Sequence, residues 1–191
     1  MEPKQKTRPT ALFLIGEPAT GKTRIVRELM GADQGKKFKH GKIKGHALNS
    51  GGLIVVGDYT NSVAVFAGTD RLSMSAITDW TPFLKTVKTH FNSPPILLEG
   101  ARLMNNRAID ELKSNGWEVV VAKVITSEDT IKRRRMARGG EQKEQWLKGN
   151  KTAVNTIAAT HRAETIENIE GSEGLASAVA EVKAILKGAR T

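Results

Sequence analysis

Cysteine is absent from the 191 residues, which excludes disulfides, thiolate metal sites and cysteine nucleophiles and fits a reducing compartment. Long apolar runs are missing too. Stretches such as Ala11 to Ile15 and Val119 to Ala122 fall far short of the roughly 20 residues a membrane span requires, so no membrane partner is expected. The opening MEPKQKTRPT is basic, but no apolar h-region follows it; no secretory signal is readable, and an intracellular soluble protein is expected. Aromatic residues are scarce at 5%, with one tyrosine and three tryptophans, so few side chains are available to stack on a ring. What remains is a globular composition, 39% hydrophobic and 26% charged. The length suits one domain, expected over 11–191 behind a basic tail, 1–10.

Acidic residues are also in deficit, 20 against 30 Lys and Arg, for a formal net charge of +10. The excess is concentrated. Lys36, Lys37, Lys39, Lys42 and Lys44 lie in a stretch without an acidic residue, and Lys132 to Arg135 form a second block with Arg138 close behind. Such patches attract phosphates, of a nucleotide or of a nucleic-acid backbone, although a charge run is also what a solvated face looks like.

Ala11-Leu-Phe-Leu-Ile15 reads as a buried parallel strand, followed by a helix from Thr23 to Met30 that stops near Gly31. Residues 31–52, rich in Gly and Lys, read as a loop or exposed ribbon. Further strands are expected at Leu53–Val56, Ile96–Leu98, Glu118–Ile125 and Thr165–Ile169. Helices are expected from Thr81-Pro82 to Phe91 with Thr81 as N-cap, from Arg107 to Asn115, from a Ser127 cap through the basic block, over 141–162, and from Leu175 to Lys187. Gly139-Gly140 interrupts the basic helix. Strands alternating with helices predict an α/β fold of about five strands, mostly parallel, with helices on both faces and a small helical lid region around 127–162.

Gly16-Glu17-Pro18-Ala19-Thr20-Gly21-Lys22-Thr23 matches G-x-x-x-x-G-K-[ST] between a buried strand and a helix. Its glycines let the backbone wrap a phosphate, and the helix start aims N–H groups at the anion. Lys22 is placed to reach the β- and γ-phosphates of ATP, and the Thr23 hydroxyl to ligate Mg²⁺. This predicts a P-loop NTPase or kinase fold.

A kinase also needs a carboxylate for the metal shell, one near the acceptor hydroxyl, and cations that reach the transferring group. Glu99 ends a strand at the edge where a doubly wound sheet collects site residues, and is the candidate for Mg²⁺. Asp58 holds the corresponding place after Leu53–Val56. Asp70 and Arg71, inside Gly68-Thr-Asp-Arg-Leu-Ser73, offer a base beside a phosphate clamp. Arg134 and Arg138, four apart on the basic helix, share a face and are expected on the nucleotide. Either aspartate could instead make a turn.

The blocks GEPATGKT, GDYTNSVAVFAGTDRLSM and ILLEGARLMN, with the later QKEQWLKGNKTAVNTIAATHR, resemble in that order a family of bacteriophage P-loop kinases that act on 5-hydroxymethyluracil in DNA. The resemblance implies transfer of a phosphoryl or pyrophosphoryl group from ATP to the hydroxymethyl group of the modified base, in the cytoplasm of the infected bacterial host. It makes Lys22 and Thr23 the nucleotide and metal residues, Asp70 and Arg71 the substrate-loop pair, and Glu99 and Arg102 the third-strand pair. Ala101 stands where the family pattern has an aspartate, which moves the general base to Asp70, with Asp58 behind it. A base in duplex DNA has to leave the stack, and Trp80, Tyr59 or Phe66 could cover it; Trp117 and Trp146 are assigned to packing. The alternatives are a kinase for a free nucleoside or nucleotide and a DNA-stimulated ATPase.

Overall fold

The computed structural model describes residues 8–32, 34–59, 67–100, 102–137 and 143–188. Strand β1 (Thr10–Ile15) is buried at all positions, as a strand covered on both faces must be. It is flanked by two parallel strands of similar β-branched and aliphatic character, β5 (Ile96–Glu99) and β6 (Glu118–Ile125). Outside these lie β4 (Leu53–Val56) and β7 (Glu164–Glu167), also parallel to their neighbours. A hairpin of β2 (Lys36–His40) and β3 (Ile43–Leu48) adds to β4 antiparallel, completing the order β2-β3-β4-β5-β1-β6-β7.

The expected five-stranded parallel sheet is therefore present, and the hairpin accounts for two strands more. Residues 31–52 were expected as a loop or ribbon, and β3 departs from that most. Ile43, His46, Ala47 and Leu48 are buried, because β3 faces the sheet interior on one flank while the lysines of β2 stay in water.

Alternation along the strands splits the core in two. Ala11, Phe13, Ile54, Val56, Ile96 and Leu98 pack on one face against α2 (Trp80–Phe91), α3 (Asn106–Ser114) and Val154 of α5 (Glu144–Thr160). Leu12, Leu14, Val55, Leu97 and Val124 pack on the other against α1 (Lys22–Met30) and α6 (Ser172–Leu186). The basic helix α4 (Glu128–Ala137) follows β6, and the Ser127 hydroxyl accepts from the Thr130 N–H at 3.2 Å, as expected of its cap.

Helix α2 starts two residues earlier than expected, with Asp79 and not Thr81 at its N-cap. The Trp80 indole N–H donates to Ala108 O at 3.1 Å inside the core, which draws Trp80 into the first turn. The Thr81 hydroxyl instead donates to Glu111, and Pro82 falls in the first turn, where a missing N–H is harmless. Residues 1–7 of the basic tail, Phe66, Ala101, Arg138 and Gly139-Gly140 lie outside the described residues. Trp117 is packed as expected, its indole N–H on Pro94 O at 3.0 Å.

Trp80→Ala removes one of the two largest fully buried side chains together with its hydrogen bond to Ala108 O. The expected loss is about 3–5 kcal/mol of unfolding free energy, read from urea denaturation midpoints.

Candidate active site

The segment from Gly16 to Thr23 joins β1 to α1, so the first helical N–H groups, which have no acceptor within the helix, open toward the loop. The Lys22 ammonium crosses the loop and donates to Gly16 O at 2.8 Å and Glu17 O at 2.9 Å. Helix α4 leans on this loop from outside: Arg134 Nη1 donates to Ala19 O at 3.2 Å, and Arg135 to Pro18 O at 3.5 Å. Glu17 pairs with Arg135 at 3.8 Å and with Lys151 of α5 at 3.7 Å. From the β7 end, the buried Asn168 carboxamide donates to Thr20 O at 2.7 Å.

Glu99 ends β5 beside Leu14, and its side chain is only 4% exposed. One carboxylate oxygen accepts from the Thr23 hydroxyl at 3.3 Å, the other from the Tyr59 hydroxyl at 3.4 Å. Burial pushes its pKa up to about 7; the Asp70 charge adds to this, while the Lys22 ammonium and the two hydroxyls work against it. Burial and the Glu99 carboxylate together push the Tyr59 phenol well above its ordinary value, so it stays a donor.

Two glycines make this packing possible. A Cβ on Gly68, which has φ +67°, would overlap a Glu99 carboxylate oxygen and come within 2.9 Å of the Tyr59 hydroxyl. A Cβ on Gly100, at φ +113°, would stand 2.7 Å from Thr69 Oγ1 and 3.0 Å from Asp70 Oδ1. The Gly-Thr-Asp and Glu-Gly segments thus cross in contact, which sets Asp70 beside Glu99 at the P-loop.

These residues line a cleft of about 840 Å³ that includes Pro18, Ala19, Gly21, Lys22, Thr23, Asp70, Glu99 and Arg102. Arg71 turns away from Asp70 and pairs with Asp58 at 3.9 Å, because successive residues of the 3-10 turn Thr69–Arg71 point in different directions. Neither Arg71 nor Asp58 is part of the cleft wall. Arg102 contacts the Met74 sulfur. In the second basic block Arg133 pairs with Glu170, and Lys132 is exposed.

The aromatic residues depart most from expectation. Trp80 and Tyr59 are 0% and 1% exposed, committed to the core and to Glu99, so neither can cover a base. Trp146, assigned to packing, is 47% exposed and lines the cleft with Asn150. Trp146 and Asn150 lie in the fourth block of the resemblance, but nothing in the sequence assigned them a place in the site, and nothing marked Asn168. Trp146 and Val154 share the helical spacing of a core stripe, and only the position of α5 separates them.

The donor set fits ATP and Mg²⁺. The Lys22 ammonium and the α1 N-terminus suit a polyphosphate. The Thr23 hydroxyl beside a desolvated Glu99 carboxylate suits a hard cation that prefers oxygen. Because the folded Glu99 pKa exceeds its unfolded value, the native state holds the extra proton between about pH 4.5 and about 7. Unfolding free energy should therefore fall as pH rises through this window, by up to about 3 kcal/mol. Glu99→Gln should flatten that slope in urea titrations run at pH 5 and pH 7.5.

A gluconokinase from Sinorhizobium meliloti 1021 is 13% identical over 96% of this chain and 97% of that one, with a TM-score of 0.49. A shikimate kinase from Acinetobacter baumannii, in complex with shikimate, is 16% identical over 97% of each chain, with a TM-score of 0.46. No curated protein sequence matches the chain. Residues 7–189 match the family described as P-loop Nucleotide Kinase3, and with a P-loop, a buried strand-end carboxylate and a parallel sheet in place, the chain belongs to that family of P-loop kinases.

Proposed function

We propose that the protein transfers a phosphoryl or pyrophosphoryl group from ATP to the hydroxymethyl group of 5-hydroxymethyluracil in DNA, in the cytoplasm of an infected bacterial host. The observation that carries this reading is convergence. The four sequence blocks resembling the phage kinases all contribute to one cleft: Lys22 and Thr23 from the first, Asp70 and Met74 from the second, Glu99 and Arg102 from the third, Trp146 and Asn150 from the fourth.

In this reading Asp70 takes the proton of the acceptor hydroxyl as its oxygen bonds to phosphorus. For phosphoryl transfer, the bond from the γ-phosphorus to the bridging oxygen breaks and ADP leaves. Lys22 and Arg134 neutralise charge on the polyphosphate. Thr23 and Glu99 would hold Mg²⁺, which when bound screens phosphate charge.

The β2–β3 hairpin supports a polyanionic acceptor. Lys39 stands directly opposite Lys44, with Lys37 on the same face, and all three are exposed. Like charges facing each other across a ladder are destabilising, and among the described residues these lysines form no ion pair. A phosphate backbone would relieve that repulsion.

The test supplies ATP with duplex DNA containing 5-hydroxymethyluracil, or with the free nucleoside monophosphate, followed by digestion and mass spectrometry of the nucleosides. Phosphate on the base from DNA supports the reading. Product only from the monophosphate, or steady ADP release with no labelled acceptor, overturns it. Lys22→Ala should abolish transfer with the fold intact, and Asp70→Asn should cut the rate by roughly 100-fold or more with ATP binding retained. Replacing Lys37, Lys39 and Lys44 by Gln should weaken binding to any DNA sequence. The log–log salt slope should fall by roughly 0.9 for each phosphate that a lysine no longer neutralises.

A further inference from the structure

The protein has three tryptophans. Trp80 and Trp117 are 0% and 1% exposed, and each indole N–H is satisfied by a buried carbonyl. Trp146 is 47% exposed in the cleft that holds Lys22, Asp70 and Glu99. Among the described residues only four large hydrophobic side chains are exposed, and two of them, Trp146 and Met74 at 78%, line this cleft. Leaving an indole in water forgoes a large burial gain. Its placement beside reacting groups therefore calls for a ligand rather than a packing account.

The platform is held from below. Val154, two turns further along α5, is buried in the core, Lys151 pairs with Glu17 at 3.7 Å, and Asn155 accepts from Lys123 at 2.9 Å. These contacts fix the helix against β6 and the P-loop. Asn150, one turn from Trp146, lines the same wall, and its Oδ1 is buried with no hydrogen-bond partner. An unpaired buried acceptor costs about 1–3 kcal/mol. A flat apolar face beside unmet hydrogen-bonding capacity matches a heteroaromatic ring with a polar edge.

We propose that Trp146 is the stacking platform for the acceptor's heteroaromatic ring, a specificity-determining residue of the cleft. The assignment rests on the proposed kinase reading for its choice of a pyrimidine. In DNA, stacking on Trp146 replaces the neighbours that the base gives up when it leaves the duplex.

Intrinsic tryptophan fluorescence tests this directly, since the other two indoles are buried. An oligonucleotide containing 5-hydroxymethyluracil should quench the emission of the wild-type protein, and Trp146→Phe should lose the quenching. In steady-state assays Trp146→Ala should raise KM for the modified oligonucleotide by roughly 5- to 150-fold, the span expected for one base–aromatic stack. KM for ATP should stay unchanged, and Trp146→Phe should restore most of the acceptor affinity. Unchanged acceptor KM in Trp146→Ala, or quenching by a non-hydrolysable ATP analogue alone, overturns the platform. The two readings fail separately. If modified DNA is phosphorylated without quenching or a KM shift, the platform falls and the DNA reading stands. If only the free monophosphate is phosphorylated and it quenches Trp146, the platform stands and the DNA reading falls.

Discussion

A carboxylate buried at the end of β5 organises the site. Glu99 sits almost out of reach of water, and two hydroxyls from distant segments, Thr23 and Tyr59, donate to its opposite oxygens. Desolvating a carboxylate is expensive, and the Lys22 ammonium and two neutral donors offset it only in part, which is why burial pushes its pKa up to about 7. The group is held in place by what surrounds it. Gly68 leaves room where any side chain would strike it, and Gly100 leaves room for the Thr69 hydroxyl and the Asp70 carboxylate. A site that is under-compensated in this way has a standing affinity for positive charge, and the P-loop brings Lys22 and the Thr23 hydroxyl to the same place.

The P-loop is braced as well as shaped. Its carbonyl oxygens at Pro18, Ala19 and Thr20 are taken by Arg135, Arg134 and Asn168. Glu17 adds ion pairs to both α4 and α5. The helices that carry cations and the cleft-wall tryptophan are thereby tied to the nucleotide loop by short-range polar contacts. Such contacts are individually weak at a partly exposed surface. A loop whose position is set by several of them can yield at one while the rest hold.

Most of the fold was legible because it is written locally. Four of the five parallel strands are short, largely apolar runs, the P-loop is a spaced motif, and the Ser127 cap is a single residue with a known geometry. The candidate carboxylates were legible for the same reason: a strand followed by an acid places that acid at the sheet edge. What was not legible depended on which neighbour lies across a gap. Trp80 and Trp146 look alike in sequence, each followed by aliphatic residues at helical spacing, yet α3 covers one while the cleft leaves the other open. Arg71 follows Asp70 by one residue, and a single 3-10 step sends it to Asp58 instead. The hairpin was half read, because its lysines are visible as charge while its burial depends on pairing with β4.

That pairing has a geometric consequence for how charge is delivered. In a parallel sheet every strand ends at the same edge, so the segments following β1, β4, β5, β6 and β7 meet there without long detours. β3 runs antiparallel to them and β2 runs in their direction, so the turn that joins β2 to β3 lies at that edge. Gly45 is level with Val56, and Val56 with Leu98, so the next step brings Lys44 and its partner Lys39 level with Gly57 and Glu99. The Gly57 N–H donates to Lys44 O at 2.8 Å, and the Lys42 N–H to Asp79 at 2.7 Å, which fix the turn there. With strands spaced about 4.8 Å apart, Lys44 stands roughly 10 Å from the Glu99 backbone and Lys39 roughly 15 Å. That is about one to two phosphate intervals of a nucleic-acid strand, taking an extended interval as roughly 7 Å, double the per-strand rise in duplex DNA. On the proposed DNA reading, the hairpin turn would lie close enough to meet the backbone flanking a base in the cleft, and far enough to leave the P-loop to the nucleotide.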